Sequence, residues 1–219
     1  MGIVMRGTPL THAPMLALQI LRAWRDPSNV WPHYQKPYQF TEDWFTSRIP
    51  TWKVHLKSLA GRPALRALEI GVHEGRSSLW LLENILTEPD ARLVCIDEYR
   101  HKIPVEPRFR ANLKTSGHEA KVEVHVGRSE EILPHLPPQS FDLAHLDGSH
   151  LAPQVLADAQ LTWPLVKDGG LMILDDYLWE GDLPPEQRPR RGIDDFLRLI
   201  QGQFEVIHWN YQVIIQKLV

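Results

Sequence analysis

From Leu65 onward, short apolar runs alternate with stretches of helical periodicity, and this alternation narrows the fold more than any other feature. Residues 65–70, 92–96, 121–126, 141–146 and 170–174 read as strands. Residues 76–86, 109–115 (closed by Gly117), 130–133, 154–165 and 193–200 read as helices. Two last apolar runs, 204–209 and 212–218, are separated by Asn210 and Tyr211, the spacing of a hairpin. Parallel strands need crossovers, and here the crossovers are helical. The pattern therefore predicts an α/β, doubly wound, Rossmann-like sheet with helices on both faces and an antiparallel end.

Residues 1–61 differ in composition, holding Trp24, Trp31, Trp44 and Trp52 among many prolines. They are expected to form a helical extension to a main domain at 62–219. Met15, Leu16, Ile20, Leu21 and Trp24 recur at helical spacing, and 27–37 reads as loop. Thr41, followed by Glu42 and Asp43, reads as a helix start, with Trp44, Ile49, Trp52 and Leu56 as the buried stripe and Pro50 disturbing or splitting it.

Composition removes several function classes. A formal net charge of −3 lacks the basic footprint of a nucleic-acid binder. The single cysteine, Cys95, excludes an internal disulfide framework and any cysteine-cluster metal site, and suggests a reducing compartment. No run approaches the ~20 apolar residues that span a bilayer, and the first residues lack a signal-peptide pattern. Arg6 stands where a myristoylation signal wants Ser or Thr. A cytoplasmic protein without membrane partners is expected.

The run Leu68-Glu69-Ile70-Gly71-Val72-His73-Glu74-Gly75-Arg76-Ser77 closes the first strand and opens a helix. Gly71 and Gly75 permit a sharp turn and close approach of a ligand. A dinucleotide site needs a third glycine, and a pyrophosphate would meet Glu69 and Glu74; both points disfavour a dehydrogenase. Asp97, ending the second strand, can accept hydrogen bonds from ribose hydroxyls. Alternatively, Glu69 and Asp97 only cap helices or solvate strand ends. Ser129, in the turn Gly127-Arg128-Ser129, can sit near an adenine or cap the next helix.

The fourth strand ends in Asp147-Gly148-Ser149-His150 and the fifth in Asp175-Asp176-Tyr177. On neighbouring strands, Asp147, Asp175 and Asp176 converge on one rim, where three carboxylates repel unless a cation or proton intervenes. A hard divalent ion, most simply Mg²⁺, suits such oxygen ligands and activates a bound hydroxyl. His150 is placed to take the proton, with a capping or surface histidine as the alternative. His145 reads as packing within the sheet. Between Asp176 and Ile193 lies a proline-rich loop in which Tyr177 and Trp179 can stack on a substrate ring and Arg188, Arg190 and Arg191 can bind an anion. A rigid connector with solvated arginines is the alternative, and Tyr99 and Trp44 are further candidates for the pocket wall.

Leu68-Glu69-Ile70-Gly71 with Gly75 and Ser77, Asp97, and Lys167-Asp168-Gly169-Gly170 together resemble the class I S-adenosylmethionine-dependent methyltransferases, from about Ala64 to the end of the chain. Asp147-Gly148-Ser149-His150 and Asp175-Asp176 narrow the resemblance to metal-dependent small-molecule O-methyltransferases, including macrolide-sugar enzymes and a cephalosporin-hydroxylase-like group. The resemblance implies a sheet of order 3-2-1-4-5-7-6 with the last strand reversed. It implies cofactor contacts from Glu69, Gly71 and Asp97, with Gly75, Ser77, Ser129 and Asp147 beside them. It also implies that Asp147, Asp175 and Asp176 bind metal and that His150 acts as base. Ser149 replaces an acidic residue that some relatives use as base, and only two glycines stand in the first turn. No Asn-Pro-Pro-Tyr-like motif is present, which favours oxygen over nitrogen as acceptor. The expected partners are S-adenosylmethionine, a divalent cation and a small-molecule hydroxyl substrate, with self-association as a further expectation. Two alternatives stay open: a metal-independent methyltransferase, and a non-catalytic cofactor-binding or interaction subunit.

Overall fold

A computed structural model describes residues 38–100 and 104–219. The expected helix and loop within residues 15–37 lie outside the described residues. Seven strands form one sheet: β1 Arg66–Ile70, β2 Arg92–Asp97, β3 Val122–Val126, β4 Phe141–Leu146, β5 Val166–Leu174, β6 Phe204–Trp209 and β7 Val213–Lys217. The order is β3-β2-β1-β4-β5-β7-β6, parallel from β3 to β5, with β7 antiparallel to both neighbours. This is the topology expected from the sequence. The described helices are α1 Ile49–His55, α2 Arg76–Asn84, α3 Val105–Ser116, α4 Ser129–Ile132, α5 Ala152–Thr162 and α6 Pro189–Leu199. None is long and apolar enough to cross a membrane.

Side chains on a strand alternate between faces, so the sheet carries two cores. Ala67, Leu93, Leu143 and Ile173 point to one face and pack with Leu79, Leu82, Phe109 and Leu113 of α2 and α3. Leu68, Val94, Ala144 and Met172 point to the other and pack with Ala159, Ile193, Phe196 and Leu197 of α5 and α6. The strands of the interior read as near-continuous apolar runs because both faces are covered.

Residues 38–61 belong to the first of these cores. Phe45, Ile49, Trp52, Leu56 and Leu59 are buried there, with Trp52 edge-on to Phe45 and Trp80. The change of composition near residue 61 thus marks a change of element type within one core. Thr41 does not start a helix: its N–H and hydroxyl donate to the Glu74 carboxylate at 2.6 and 2.7 Å. Gln39 and Asn112 exchange backbone–side-chain hydrogen bonds, and Arg76 donates to the Glu42 carbonyl. These bonds strap the segment across the start of α2. Pro50 does not split a helix, because α1 begins at Ile49 and a proline in the first turn forfeits no intrahelical bond. Strand β5 begins at Val166, earlier than expected, taking in Gly169 and Gly170 with a register irregularity against β4.

His55 at the end of α1 faces His208 of β6, with ring centroids 5.0 Å apart. Burial, and then the neighbouring imidazole, push His55 down to about 4; burial lowers His208 as well. A histidine kept neutral in the fold stabilises it fully above the unfolded value near 6.5 and progressively less as pH falls toward the folded value. Between pH 7 and pH 5 the His55 contribution should fall by roughly 2 kcal/mol. Urea unfolding at the two pH values should therefore show a smaller acid loss in His55→Gln than in the parent chain.

Candidate active site

The loops leaving β1, β2, β4 and β5 gather at the carboxyl edge of the sheet. Ladder hydrogen bonding runs one residue past the strand ends there: Gly71 N–H to Ile96, Asp147 N–H to Ile70 and Asp175 N–H to Leu146, at 2.9, 2.8 and 3.0 Å. The alignment brings Asp147 and Asp175 side by side. Gly71, at φ +82°, makes it possible, since a Cβ would stand 2.0 Å from the Asp147 carbonyl oxygen. At Gly75 a Cβ would strike the Phe109 ring at 2.4 Å. Three non-glycine residues in these loops, His73, Tyr99 and Asp176, also hold positive φ. Such conformations persist where the surrounding structure enforces them.

Asp97 bridges the first two turns. It accepts from the N–H groups of Val72 and His73 at 2.7 and 2.8 Å and from Tyr99 at 2.7 Å. Of about four lone-pair sites on a carboxylate, this leaves one for a ligand hydroxyl. Ser77 sits almost buried in the first turn of α2. Ser129 is the first residue of α4 and does not cap it; its hydroxyl donates to Asp158 of α5. Burial foremost raises the buried Asp158 carboxyl to about 6.

Glu69 departs from the expected direct cofactor contact. It has no exposed surface, and its two oxygens are taken by Ser78 and by His145 Nδ1. Glu74 is also buried, and Thr41 and Arg108 occupy it. Burial would raise Glu74, but these hydrogen bonds outweigh it and hold the group below its ordinary value. Neither carboxylate therefore faces the turn, and the case against a pyrophosphate rests on the glycine count alone.

Asp147, Asp175 and Asp176 line one crevice together with Gly148, Ser149, Val155, Asp158 and Ile193. One ligand atom each from His145, Asp147 and Asp175 lies within 4.8 Å of the others. Asp176 lines the crevice with a left-handed backbone, its Oδ2 lying 2.8 Å from His150 Nε2 and its Oδ1 accepting from the Tyr211 hydroxyl at 2.9 Å. Asp175 Oδ2 contacts His145 Nε2 at 3.2 Å and accepts from Gln212 at 2.6 Å. Gln212 in turn accepts from the Trp52 indole at 2.9 Å.

The charges sort themselves by surroundings. Burial would lower His145, but its hydrogen bonds to Asp175 and Glu69 carry it up to about 10, so it is an imidazolium donating through both nitrogens. One ring nitrogen of His145 lies within 4.8 Å of oxygens of Asp147 and Asp175, and the aspartates supply the oxygen donors. Burial would raise Asp175, but His145, Gln212 and the Asp176 N–H hold it below the ordinary range. Asp147, by contrast, is pushed well up, by desolvation first and then by Asp175 and Asp176. For His150 the hydrogen bond to Asp176 outweighs desolvation and raises it.

The loop after Asp176 corrects two substrate candidates. Tyr177 is 4% exposed, donates to Asp194 at 3.0 Å and lies under the Arg190 guanidinium, so it offers no stacking face. Arg188 donates to the Leu183 carbonyl at 2.8 Å, while Arg190 and Arg191 pair with Asp194 and Asp195 of α6. Trp179 packs on Gly181 and against His150, with ring centroids 4.7 Å apart. Trp44, 64% exposed, lies 5.0 Å from His73 on the glycine-turn side. Tyr99 stacks against Phe109 in the first core.

Sequence reasoning missed Gln212, Tyr211 and Asp158, and took His145 as mere packing. The signal for His145 was register: it pairs with Glu69 across β1 and β4, two polar residues abreast in apolar strands. Replacing Gly71 by alanine should abolish soluble expression or lower the unfolding free energy measured in urea by more than about 3 kcal/mol, because backbone stands where the methyl would go.

A family profile described as a methyltransferase domain matches residues 68–177, from β1 to the residue after Asp176. A catechol O-methyltransferase of Mycobacterium tuberculosis is 32% identical over 123 residues, which are 56% of this chain and 53% of that protein. The chain thus spans about half the length of that curated relative. Among solved structures, the O-methyltransferase TomG from Streptomyces achromogenes in complex with SAM aligns at TM-score 0.62 and 22% identity, over 93% of this chain and 89% of its own. The MycE methyltransferase in complex with Mg, SAH and mycinamycin VI aligns at TM-score 0.58 and 18% identity, over 80% of this chain and 50% of its own. With the profile spanning half of its residues and all of the turns that build the crevice, the chain belongs to this methyltransferase-domain family.

Proposed function

We propose that the protein is an S-adenosylmethionine-dependent O-methyltransferase acting on a hydroxyl of a small molecule, with Mg²⁺ held by Asp147, Asp175 and Asp176 and with His150 as base. The observation that carries the reading is the meeting of these three aspartates in one crevice beside the Gly71 turn, with His150 Nε2 2.8 Å from Asp176 Oδ2. The catechol O-methyltransferase relative and the Mg-containing MycE structure support it. In this reading Gly71, Gly75, Ser77, Asp97 and Ser129 hold the cofactor, and residues 62–219 carry the chemistry. Residues 1–61 are an extension, of which the described part closes one side. A reducing, cytoplasmic setting suits the free, buried Cys95.

Bound S-adenosylmethionine supplies a methyl group on a sulfonium, open to in-line attack. The donor set fits a hard cation: Asp147 carries carboxylate oxygens crowded by those of Asp175 and Asp176, which outweigh the nearby His145. A bound Mg²⁺ would acidify a coordinated hydroxyl. The protein residues then position and deprotonate. Asp176 Oδ2 fixes His150 through Nε2, leaving Nδ1 to accept the acceptor hydroxyl's proton. Trp179 holds the imidazole from its other side and narrows the access of water. His145 keeps Asp175 charged and oriented.

One observation favours a metal-independent variant of the same reaction. Asp175 is already served by three hydrogen-bond donors from the protein and Asp176 by two. Thermal shift with S-adenosylhomocysteine, with and without Mg²⁺, separates the readings. Cofactor at about 100 times its dissociation constant should add roughly 2.7 kcal/mol of stability. A further Mg²⁺-dependent rise, lost in Asp147→Asn and Asp175→Asn, supports the metal; an unchanged response to EDTA removes it. No response to S-adenosylhomocysteine at all would defeat the methyltransferase reading. His150→Ala should keep the cofactor response and lose about 10²–10⁴-fold in turnover on an accepted hydroxyl substrate.

A further inference from the structure

We propose a second binding site at the amino edge of the sheet, opposite the crevice, for a phosphate group, either free or at the end of a small phosphomonoester. A cavity of about 280 Å³ opens there, lined by Arg66, Arg92, Lys121, Glu123 and the backbone around them. That is close to the lower size of small-molecule pockets, roughly 300 Å³.

The strand register builds the charge. Arg66 and Arg92 are direct partners across the parallel pair β1·β2, each the first residue of its strand, and they share the face of Leu68 and Val94. Lys121 immediately precedes β3, the next strand out. Like charges abreast on neighbouring strands destabilise a sheet unless something of opposite sign lies between them.

The protein itself supplies little of that. Arg92 donates to the carbonyls of Pro89 and Ala91, and Lys121 to those of Leu86 and Thr87. Carbonyls fix these side chains in place but leave their charges standing. Arg66 has its guanidinium carbon 5.6 Å from the Phe141 ring centroid, and its Nε is buried without a hydrogen-bond partner. A buried donor in that state calls for an acceptor. Glu88 and Asp90 act on Lys121 from the loop before β2 but form no ion pair with it. The carboxylate in the cavity wall, Glu123, lies 2.8 Å from His125. The contrast is Asp142 on the next strand, which serves Lys167 at 2.8 Å and the Arg66 N–H at 3.0 Å.

Three cationic side chains line the cavity with one carboxylate, so its wall is predominantly basic. That matches a phosphate or phosphomonoester dianion, whose oxygens suit guanidinium donors.

Isothermal titration and thermal shift of the full chain at constant ionic strength test the site, with inorganic phosphate and glycerol 3-phosphate as probes. Saturable binding with a dissociation constant at or below about 10 mM is expected, weakened at least about 5-fold in Arg92→Gln. Arg66→Gln should weaken it similarly, while Lys57→Gln, an exposed charge elsewhere, should not. Tighter binding of glycerol 3-phosphate identifies an ester as the ligand, and equal binding identifies the free ion. The response to S-adenosylhomocysteine should be the same in Arg92→Gln and the parent chain, which keeps this site's test separate from that of the crevice. Absence of binding by both probes at 20 mM or about twice the expected limit, or binding undiminished in both arginine variants, overturns the proposal.

Discussion

The imidazolium of His145 is the interaction on which the crevice depends. It sits between Glu69 and Asp175 with no exposed surface to speak of, and it donates to both. Two buried carboxylates alone would repel, and one would take up a proton. The cation between them holds Asp175 in its charged form, and Asp175 presents a fixed carboxylate to the crevice. Ser78 satisfies the outer oxygen of Glu69 and the Asp176 N–H that of Asp175, while Gln212, held by Trp52, shares Asp175 Oδ2 with His145. A buried charge network of this kind adds little to stability compared with an apolar core, but losing one member is costly because the others remain unpaired. Its value lies in geometry.

That network explains why residues 38–61 matter to the site. Trp52 lies edge-on to the His145 ring at 4.8 Å, excluding water from it, and reaches Asp175 through Gln212. The same segment is tied to Glu74, beside the glycine turn, through Thr41. The extension therefore buttresses both halves of the edge: the nucleoside-type turn after β1 and the acidic turns after β4 and β5.

The strands and the convergence of Asp147 with Asp175 were legible in the sequence because they follow from strand ends, and parallel strands in register deliver their ends to one edge. What was illegible depends on backbone turns and long-range partners. Asp176 is adjacent to Asp175 in sequence, yet a left-handed turn sends its carboxylate to His150 and Tyr211. Tyr177 and Arg188 look available in a proline-rich loop, but Asp194, a helix away, and the Leu183 carbonyl claim them. Thr41 has the residue type of a helix cap, and its partner is instead a glutamate 33 positions on. Local propensity cannot see such competitors.

The two edges of the sheet carry opposite charge. Asp97, Asp147, Asp175 and Asp176 stand at the carboxyl ends of the strands, and Arg66, Arg92 and Lys121 at or beside the amino ends of β1, β2 and β3. A formal net charge of −3 hides this separation, because steering depends on local fields and not on the sum. The polarity also suits the proposed chemistry. A positively charged sulfonium donor is drawn to the acidic edge, and after transfer the neutral thioether product loses that attraction. In that chemistry the same field would hold the product less tightly than the cofactor.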